Sequence, residues 1–295
     1  MLSSKIKKNF TLKLMYAFLN HRSSCYLDSV LVAMFLTHQN FQDALHVSTS
    51  SSSPLVRAVS DEITRLHSLK PRGWICNDVR RHMGAPWNTN TPQSCVDCFH
   101  ALLDGMRVSS LGTLTHTITY LAHNTTRRET HTSDVEEFRV QLAVAGQHTS
   151  LENVFEPQGT ILPNHAESFA TIHTIQLEQH SSVLVFEVAR CDTCIQKVEY
   201  GVTSSPMLRV VMVVQDVEWT LIGVVCRTGN HYVAFVWHDE AGWGFYDDAH
   251  NQGAVVECDH PEVTHAPPSR FGELFFYGET SKLRGIDPLK YEKKT

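Results

Sequence analysis

Apolar residues recur at helical spacing through the first third of the chain and alternate with polar ones through most of the remainder. Leu27, Val30, Leu31, Met34 and Phe35 fall at i, i+3, i+4, i+7 and i+8, one face of a helix that starts at Cys25. After a polar stretch from about Thr37 to Ser53, which ends in a serine run before Pro54 and reads as a loop, Val56, Val59, Ile63, Leu66 and Leu69 mark a second amphipathic helix. Lys70-Pro71-Arg72-Gly73 closes it. A shorter helical piece from Asn77 to Met83 leads through a Gly- and Pro-containing loop to a helix over Gln93 to Met106, with Val96, Phe99, Leu102, Leu103 and Met106 on its buried side. Beyond Gly112 the period falls to two. His116–Tyr120, Phe138–Val144, Val183–Ala189, Leu208–Val214, Trp219–Cys226, Tyr232–Trp237 and Trp243–Tyr246 read as strands. Turns at Thr228-Gly229-Asn230 and at Asp239–Gly242 suggest that the last of them form an antiparallel meander. The polar segment Asn124 to Ser133 reads as a mobile tip, and the tail after Pro267 as irregular, fraying at Lys290–Thr295. The pattern therefore predicts an α+β arrangement, in one large or two ordinary domains: a helical lobe over about 14–112, a sheet lobe over about 113–256 and a C-terminal extension over 257–295.

Composition narrows the class. With 42% hydrophobic and 19% charged residues over 295 positions, the chain can bury a substantial core as a soluble globular protein. A net charge of −6 argues against a nucleic-acid partner, which calls for a clustered basic face. No apolar run approaches the length of a membrane span. Lys5-Ile6-Lys7-Lys8 followed by Phe10 to Leu19 imitates a secretory signal, but Lys13 interrupts the apolar run and no small-residue cleavage site precedes Asn20. The cysteines Cys25, Cys76, Cys95, Cys98, Cys191, Cys194, Cys226 and Cys258 are too sparse for a disulfide scaffold, so free thiols in an intracellular, reducing compartment, cytoplasmic or nuclear, are expected.

Chemistry concentrates at Cys25. A thiol in the first turn of a helix meets unpaired N–H groups and the positive end of the helix dipole, which favour the nucleophilic thiolate. Asn20, five residues upstream, can swing an amide donor toward the same place. Alone, such a cysteine is as readily the small apolar start of a core helix. A thiol nucleophile also needs a histidine and a group that orients it. Of the 18 histidines, His231 at the start of a strand is the useful one. The following strand, Trp243 to Tyr246, returns a carboxylate beside it, in the order Cys, His, Asp.

These residues resemble the Cys box and His box of the ubiquitin-specific proteases. That family writes the first box as Asn, a few small residues including Gly, then Cys-Tyr-x-Asn-Ser. It writes the second as Gly-His-Tyr-x-Ala-Tyr followed by Trp-x-x-Phe-Asp-Asp. Here they read Asn20…Cys25-Tyr26-Leu27-Asp28-Ser29, Asn230-His231-Tyr232-Val233-Ala234-Phe235 and Trp243-Gly244-Phe245-Tyr246-Asp247-Asp248. Weaker intermediate boxes follow in order: the helix Gln93 to Asp104, the segment Ser150 to Phe155 and the strand Ser182 to Arg190.

The resemblance spans roughly residues 14 to 256. It implies a papain-like right hand of helical thumb, antiparallel palm and reduced fingers, and a cysteine isopeptidase that cleaves after the C-terminal Gly of ubiquitin or a ubiquitin-like modifier. It implies Cys25 as nucleophile, His231 as base and then acid, Asp247 as the orienting carboxylate and Asn20 as oxyanion donor. Tyr232 would line the channel for a Gly-Gly tail, Asp248 would be a second orienter beside the substrate, and no cofactor is called for. The family's acidic pair, which meets arginines of the ubiquitin tail, falls on Cys95 and Cys98, leaving Asp97 or another carboxylate to compensate. The glycine before the nucleophile is replaced by Arg22 or Ser23. The fingers positions hold His123–Thr126 and His165–Ser168 instead of zinc knuckles, so the Cys95/Cys98 and Cys191/Cys194 pairs are read as free thiols and no metal is expected. The rivals are a papain-like protease cutting peptide bonds in a polyprotein and a non-catalytic ubiquitin-binding module. A monomer that binds neither membrane nor nucleic acid is the expected state.

Overall fold

The computed structural model describes residues 15–36, 53–68, 72–108, 112–122, 125–135, 138–140, 149–151, 155, 158–162, 169–180, 182–188, 206–207, 211–238, 242–258, 261 and 264–283. The expected loop over 37–52, Leu69, Cys191, Cys194 and the terminal residues Lys290–Thr295 lie outside them. Strand β1 (Met15–Tyr16) precedes helix α1 (Cys25–Phe35), which is buried on every side, Asp28 and Ser29 included. The single apolar face read from the pattern is therefore only part of the helix's contact surface; an element packed all round becomes a central helix. Helix α2 (Pro54–Leu66) begins with proline, whose missing N–H is no loss in a first turn, and buries Leu55, Val56, Ala58, Val59 and Leu66. Helix α3 (Asn77–Met83) stops at Gly84, with φ 76°, and helix α4 (Cys95–Met106) starts where the Ser94 hydroxyl accepts the Asp97 N–H.

Strands β2 (Gly112–Ala122), β3 (Thr125–Val135), β6 (Gln158–Leu162) and β7 (Phe169–His180) form one sheet in the order β3-β2-β7-β6. Asn124 to Ser133 is thus not a tip. From Thr125 onward its threonines suit a pleated ladder, and it pairs along the whole of β2, from Ala122↔Thr125 to Gly112↔Val135. Short strands β5 (Thr149–Ser150) and β9 (Pro206–Met207) pair with each other.

The larger sheet joins β4 (Phe138–Val140), β8 (Val183–Val188), β10 (Val211–Val214), β11 (Val217–Thr228), β12 (His231–His238), β13 (Gly242–Tyr246), β14 (Ala254–Glu257) and β15 (Gly272–Glu279) to β1. Its order is β1-β14-β13-β12-β11-β15-β8-β4, with β10 also on β11. From β10 to β14 consecutive strands are antiparallel neighbours, the expected meander. The tail expected to be irregular instead supplies β15 between β11 and β8, after a helical turn, α5 (Pro268–Phe271).

Both faces of this sheet are covered. Val185, Val225, Ala234, Leu274 and Phe276 pack with the helices, while Leu184, Phe186, Val224, Phe235, Phe275 and Tyr277 fill a second core on the other side. Such strands read as unbroken apolar runs, which is why Leu274-Phe275-Phe276-Tyr277 carries no period-two signal. Helix α1 lies across β11 and β12 so closely that a Cβ at Gly223 would stand 2.8 Å from the Ala33 carbonyl oxygen. That contact requires glycine, and it fixes the start of α1 beside the end of the β11–β12 hairpin.

Candidate active site

The chain enters the site already laced. The Ala17 N–H donates to the Gly253 carbonyl at 2.8 Å, Leu19 N–H to Trp74 at 2.8 Å, and the Tyr246 hydroxyl to Phe18 at 2.9 Å. Next come Arg22 and Ser23, both in the left-handed region with φ 55° and 60°. A backbone that costs roughly 1–2 kcal/mol per non-glycine residue needs an outside hold. The buried Arg80 of α3 supplies it. Its Nη1 donates to the His21 carbonyl at 2.6 Å and Nη2 to that of Arg22 at 3.1 Å, while Nε and Nη2 donate to Trp87 at 3.1 Å and Thr89 at 2.6 Å. The turn that the family builds with glycine is here fastened by a guanidinium to the loop before α4. Replacing Arg80 with Met should lower the unfolding free energy by about 1–3 kcal/mol, as acceptors lose their donor, visible as a lower denaturant midpoint at unchanged slope.

Ser24 then links turn and helix. Its hydroxyl accepts the His21 N–H at 3.0 Å and donates to Asp28 Oδ2 at 2.5 Å. Cys25 follows as the first residue of α1, 3% exposed. His231 opens β12 because Gly229 and Asn230 make a two-residue turn that pairs Thr228 with His231, Gly229 taking φ 65°. Asp247 follows β13 directly. His231 Nε2 meets Asp247 Oδ1 at 2.9 Å, and the Cys25 side chain is among the groups that favour the His231 proton. With Nε2 held by the carboxylate, Nδ1 is the ring nitrogen available to sulfur.

The Asp247 carboxylate is over-determined. Oδ1 also accepts the N–H groups of Ala249 at 3.0 Å and His250 at 3.3 Å, and Oδ2 meets His250 Nδ1 at 2.8 Å. Burial pushes Asp247 up, but the bonds from His231 and His250 outweigh it and hold the carboxyl down at about 2. The Asp247 bond, and then Cys25, pull His231 the other way, up to about 10. His231 moves further because two partners favour its proton, whereas burial works against the charge on Asp247. A histidine that holds a proton beside a sulfur, with its other nitrogen fixed, can both stabilise a nucleophile and hand a proton to a leaving group.

Asn20 is exposed, and its Nδ2 donates to Asp248 Oδ1 at 3.3 Å. One amide hydrogen is thereby committed and the other is presented by a fixed group. Asp248 itself is buried at 4% exposure, with His231 Nε2 3.6 Å from Oδ1. Its carboxylate therefore lies in the interior, where Oδ1 accepts the Asn20 amide. Tyr232 is likewise 4% exposed, and burial, with Cys95 and Glu273 nearby, pushes its hydroxyl up. Asp97 is exposed on the first turn of α4, whereas Cys95 and Cys98 point into the core at 0% exposure. These two thiols do not stand where a tail would pass; Asp97 does face outward.

Arg80, His250, Ser24 and Asp28 carry no sequence signal of this kind. Arg80 sits in a run of charged residues that reads as a solvated face, and His250 was one histidine among many. Its only clue is its place three residues after Asp247.

Metal binding finds little support in these contacts. Burial pushes the thiols of Cys95 and Cys98 up, Glu273 adding for Cys95 and Asp28 for Cys98, which opposes the thiolate a metal requires. Among the described residues His231, Asp247 and Asp248 bring ligand atoms within 4.8 Å of one another. That closeness is accounted for by the 2.9 Å hydrogen bond between His231 and Asp247. No helix among the described residues is long and apolar enough to cross a membrane.

The family model for ubiquitin carboxyl-terminal hydrolase matches residues 16–277, from β1 into β15. No curated protein matches the chain.

Proposed function

The chain belongs to the ubiquitin carboxyl-terminal hydrolase family and is a cysteine-type deubiquitinase, and from that premise we propose that Cys25, His231 and Asp247 form its catalytic triad. The bond cleaved is the amide after the C-terminal Gly of ubiquitin or a ubiquitin-like modifier. The observation that carries the reading is the 2.9 Å hydrogen bond between His231 and Asp247, with the Cys25 side chain among the groups that favour the His231 proton.

His231 accepts the thiol proton. The Cys25 sulfur attacks the Gly carbonyl carbon, forming a tetrahedral oxyanion at the mouth of α1. His231 passes its proton to the lysine amine as the C–N bond breaks, leaving a thioester on Cys25. Water then attacks the thioester, His231 takes its proton, and collapse frees the modifier's carboxylate and restores the thiol. Asp247 keeps the imidazole in one tautomer throughout. Asp97, outward on α4, is the acidic group we assign to the arginines of a ubiquitin tail, and Tyr232, next to His231 on β12, is assigned to the wall of the tail channel.

Asn20 is assigned to the oxyanion through the hydrogen that Asp248 does not take. Asn20→Ala should lower kcat by about 10²–10³-fold with little change in KM. An unchanged kcat removes Asn20 from that role. The reading as a whole is tested with ubiquitin bearing a C-terminal electrophile, run beside the same warhead on ubiquitin-like modifiers. A mass increase of one modifier on the Cys25 peptide is expected. Equal reaction with a short tail peptide would favour a general peptide protease instead.

A further inference from the structure

Behind the nucleophile two carboxyl groups meet inside the protein. Asp28, on α1, is 0% exposed and Asp248 is 4% exposed, and the charge of each acts on the other. Each has one oxygen in use: Asp28 Oδ2 accepts the Ser24 hydroxyl and Asp248 Oδ1 accepts the Asn20 amide. The remaining oxygens, Asp28 Oδ1 and Asp248 Oδ2, are both fully buried with no donor offered by any other group. Two acceptors cannot satisfy each other, and two adjacent buried charges repel. One proton between them resolves both problems.

We propose that Asp28 is a positioning residue that works as a neutral acid: its proton, donated to Asp248, holds the carboxylate that grips Asn20 and supports His231. This rests on the triad reading above. Asp28 stands where the family's first box has Asn, a residue that carries a donor permanently; here the donor is a proton that can leave. The groups facing Asp28 are Cys25 and Tyr26 on its own helix, Asp248 and Tyr246 from β13 and the turn after it, Cys76 before α3 and Cys98 on α4. None of these is cationic, so nothing among them favours a second negative charge. Burial, and then Asp248, push Asp28 well above its ordinary value of 3.8. Asp248 is itself pushed up by burial, the charge on His231 pulling it partly back.

Asp28→Asn substitutes an amide N–H for the acid proton and Asp28→Ala removes the donor. In infrared difference spectra at neutral pH, the wild type should show a protonated-carboxyl stretch that Asp28→Asn lacks. With a fluorogenic C-terminal amide of ubiquitin, kcat of Asp28→Ala should fall about tenfold, the loss of one buried hydrogen bond, while KM holds and Asp28→Asn recovers the loss. On the alkaline side wild-type turnover should fall earlier than that of Asp28→Asn. Because the folded pKa of Asp28 is raised, wild type should also lose thermal stability relative to Asp28→Asn as pH rises above 3.8 and through that folded value. Alkylation of Cys25 by iodoacetamide, followed by peptide mass, needs no ubiquitin. An Asp28-dependent alkylation rate without coumarin release would remove ubiquitin as substrate and leave the role of Asp28 standing. Absence of the infrared band, superimposable pH profiles for wild type and Asp28→Asn, or full kcat and alkylation rate in Asp28→Ala would each overturn the proposal.

Discussion

Cys25→Ala should abolish turnover of a ubiquitin C-terminal amide, by roughly 10⁴–10⁶-fold in kcat, while the folded protein keeps its affinity for ubiquitin. The effect is large because the covalent route ends with the sulfur. Cys25 is 3% exposed and begins a helix whose every residue is buried, so losing one sulfur leaves the packing of α1 nearly intact. Calorimetry with ubiquitin on the alanine variant checks the binding, and mass spectrometry after an electrophilic ubiquitin checks that the adduct has gone. Among the described residues Cys76, Cys95, Cys98 and Cys226 are buried and Cys258 follows β14, so none of them stands beside His231 as a substitute. Retained turnover in Cys25→Ala would transfer the chemistry to a different group altogether.

Asp247→Asn is the second large effect, expected to reduce kcat by about 10⁴-fold. An amide in place of the carboxylate cannot accept every donor that now converges there, and where it presents its NH₂ to Nε2 it selects the wrong tautomer. The pH profile supplies an independent check. In the wild type His231 keeps its proton until pH rises through about 10. Without its first partner that proton leaves at lower pH, so the alkaline limb of kcat should move down. The same pair sets a stability window. The contribution of His231, whose pKa is raised, is complete below 6.5 and is lost as pH rises through about 10. That of Asp247, whose pKa is lowered, is complete above 3.8 and is lost as pH falls through about 2. Between 3.8 and 6.5 both are fully present, and there the stability difference between wild type and Asp247→Asn should be largest.

What could be read from residues alone followed from how local the determining physics is. His231 and Asp247 were legible because Gly229-Asn230 permits only a tight hairpin and the next strand must return beside it. The helices over 54–66, 77–83 and 95–106 were legible from their period and caps, to within a few residues. Strand β15 was not, because Leu274-Phe275-Phe276-Tyr277 is buried on both faces and so lacks alternation. Asn124 to Ser133 was misread for the opposite reason, as polar threonines can pair in an exposed strand as readily as they can form a turn. Arg80 and Asp28 were illegible in a deeper sense. Their roles consist of carbonyls and a carboxyl brought from Thr89, Trp87 and Asp248, and nothing near them in the chain hints at those partners.

The position of β15 also governs when this enzyme can exist. Before Gly272–Glu279 has been synthesised, β11 presents Leu221 to Cys226 as a bare apolar edge and β8 has no neighbour on that side. Helix α1 then rests on an unfinished floor, and Cys25 and His231 have no rigid frame to share. Activity therefore waits on Gly272–Glu279, and until that strand slides in, the open edge of β11 must be kept from pairing with another chain.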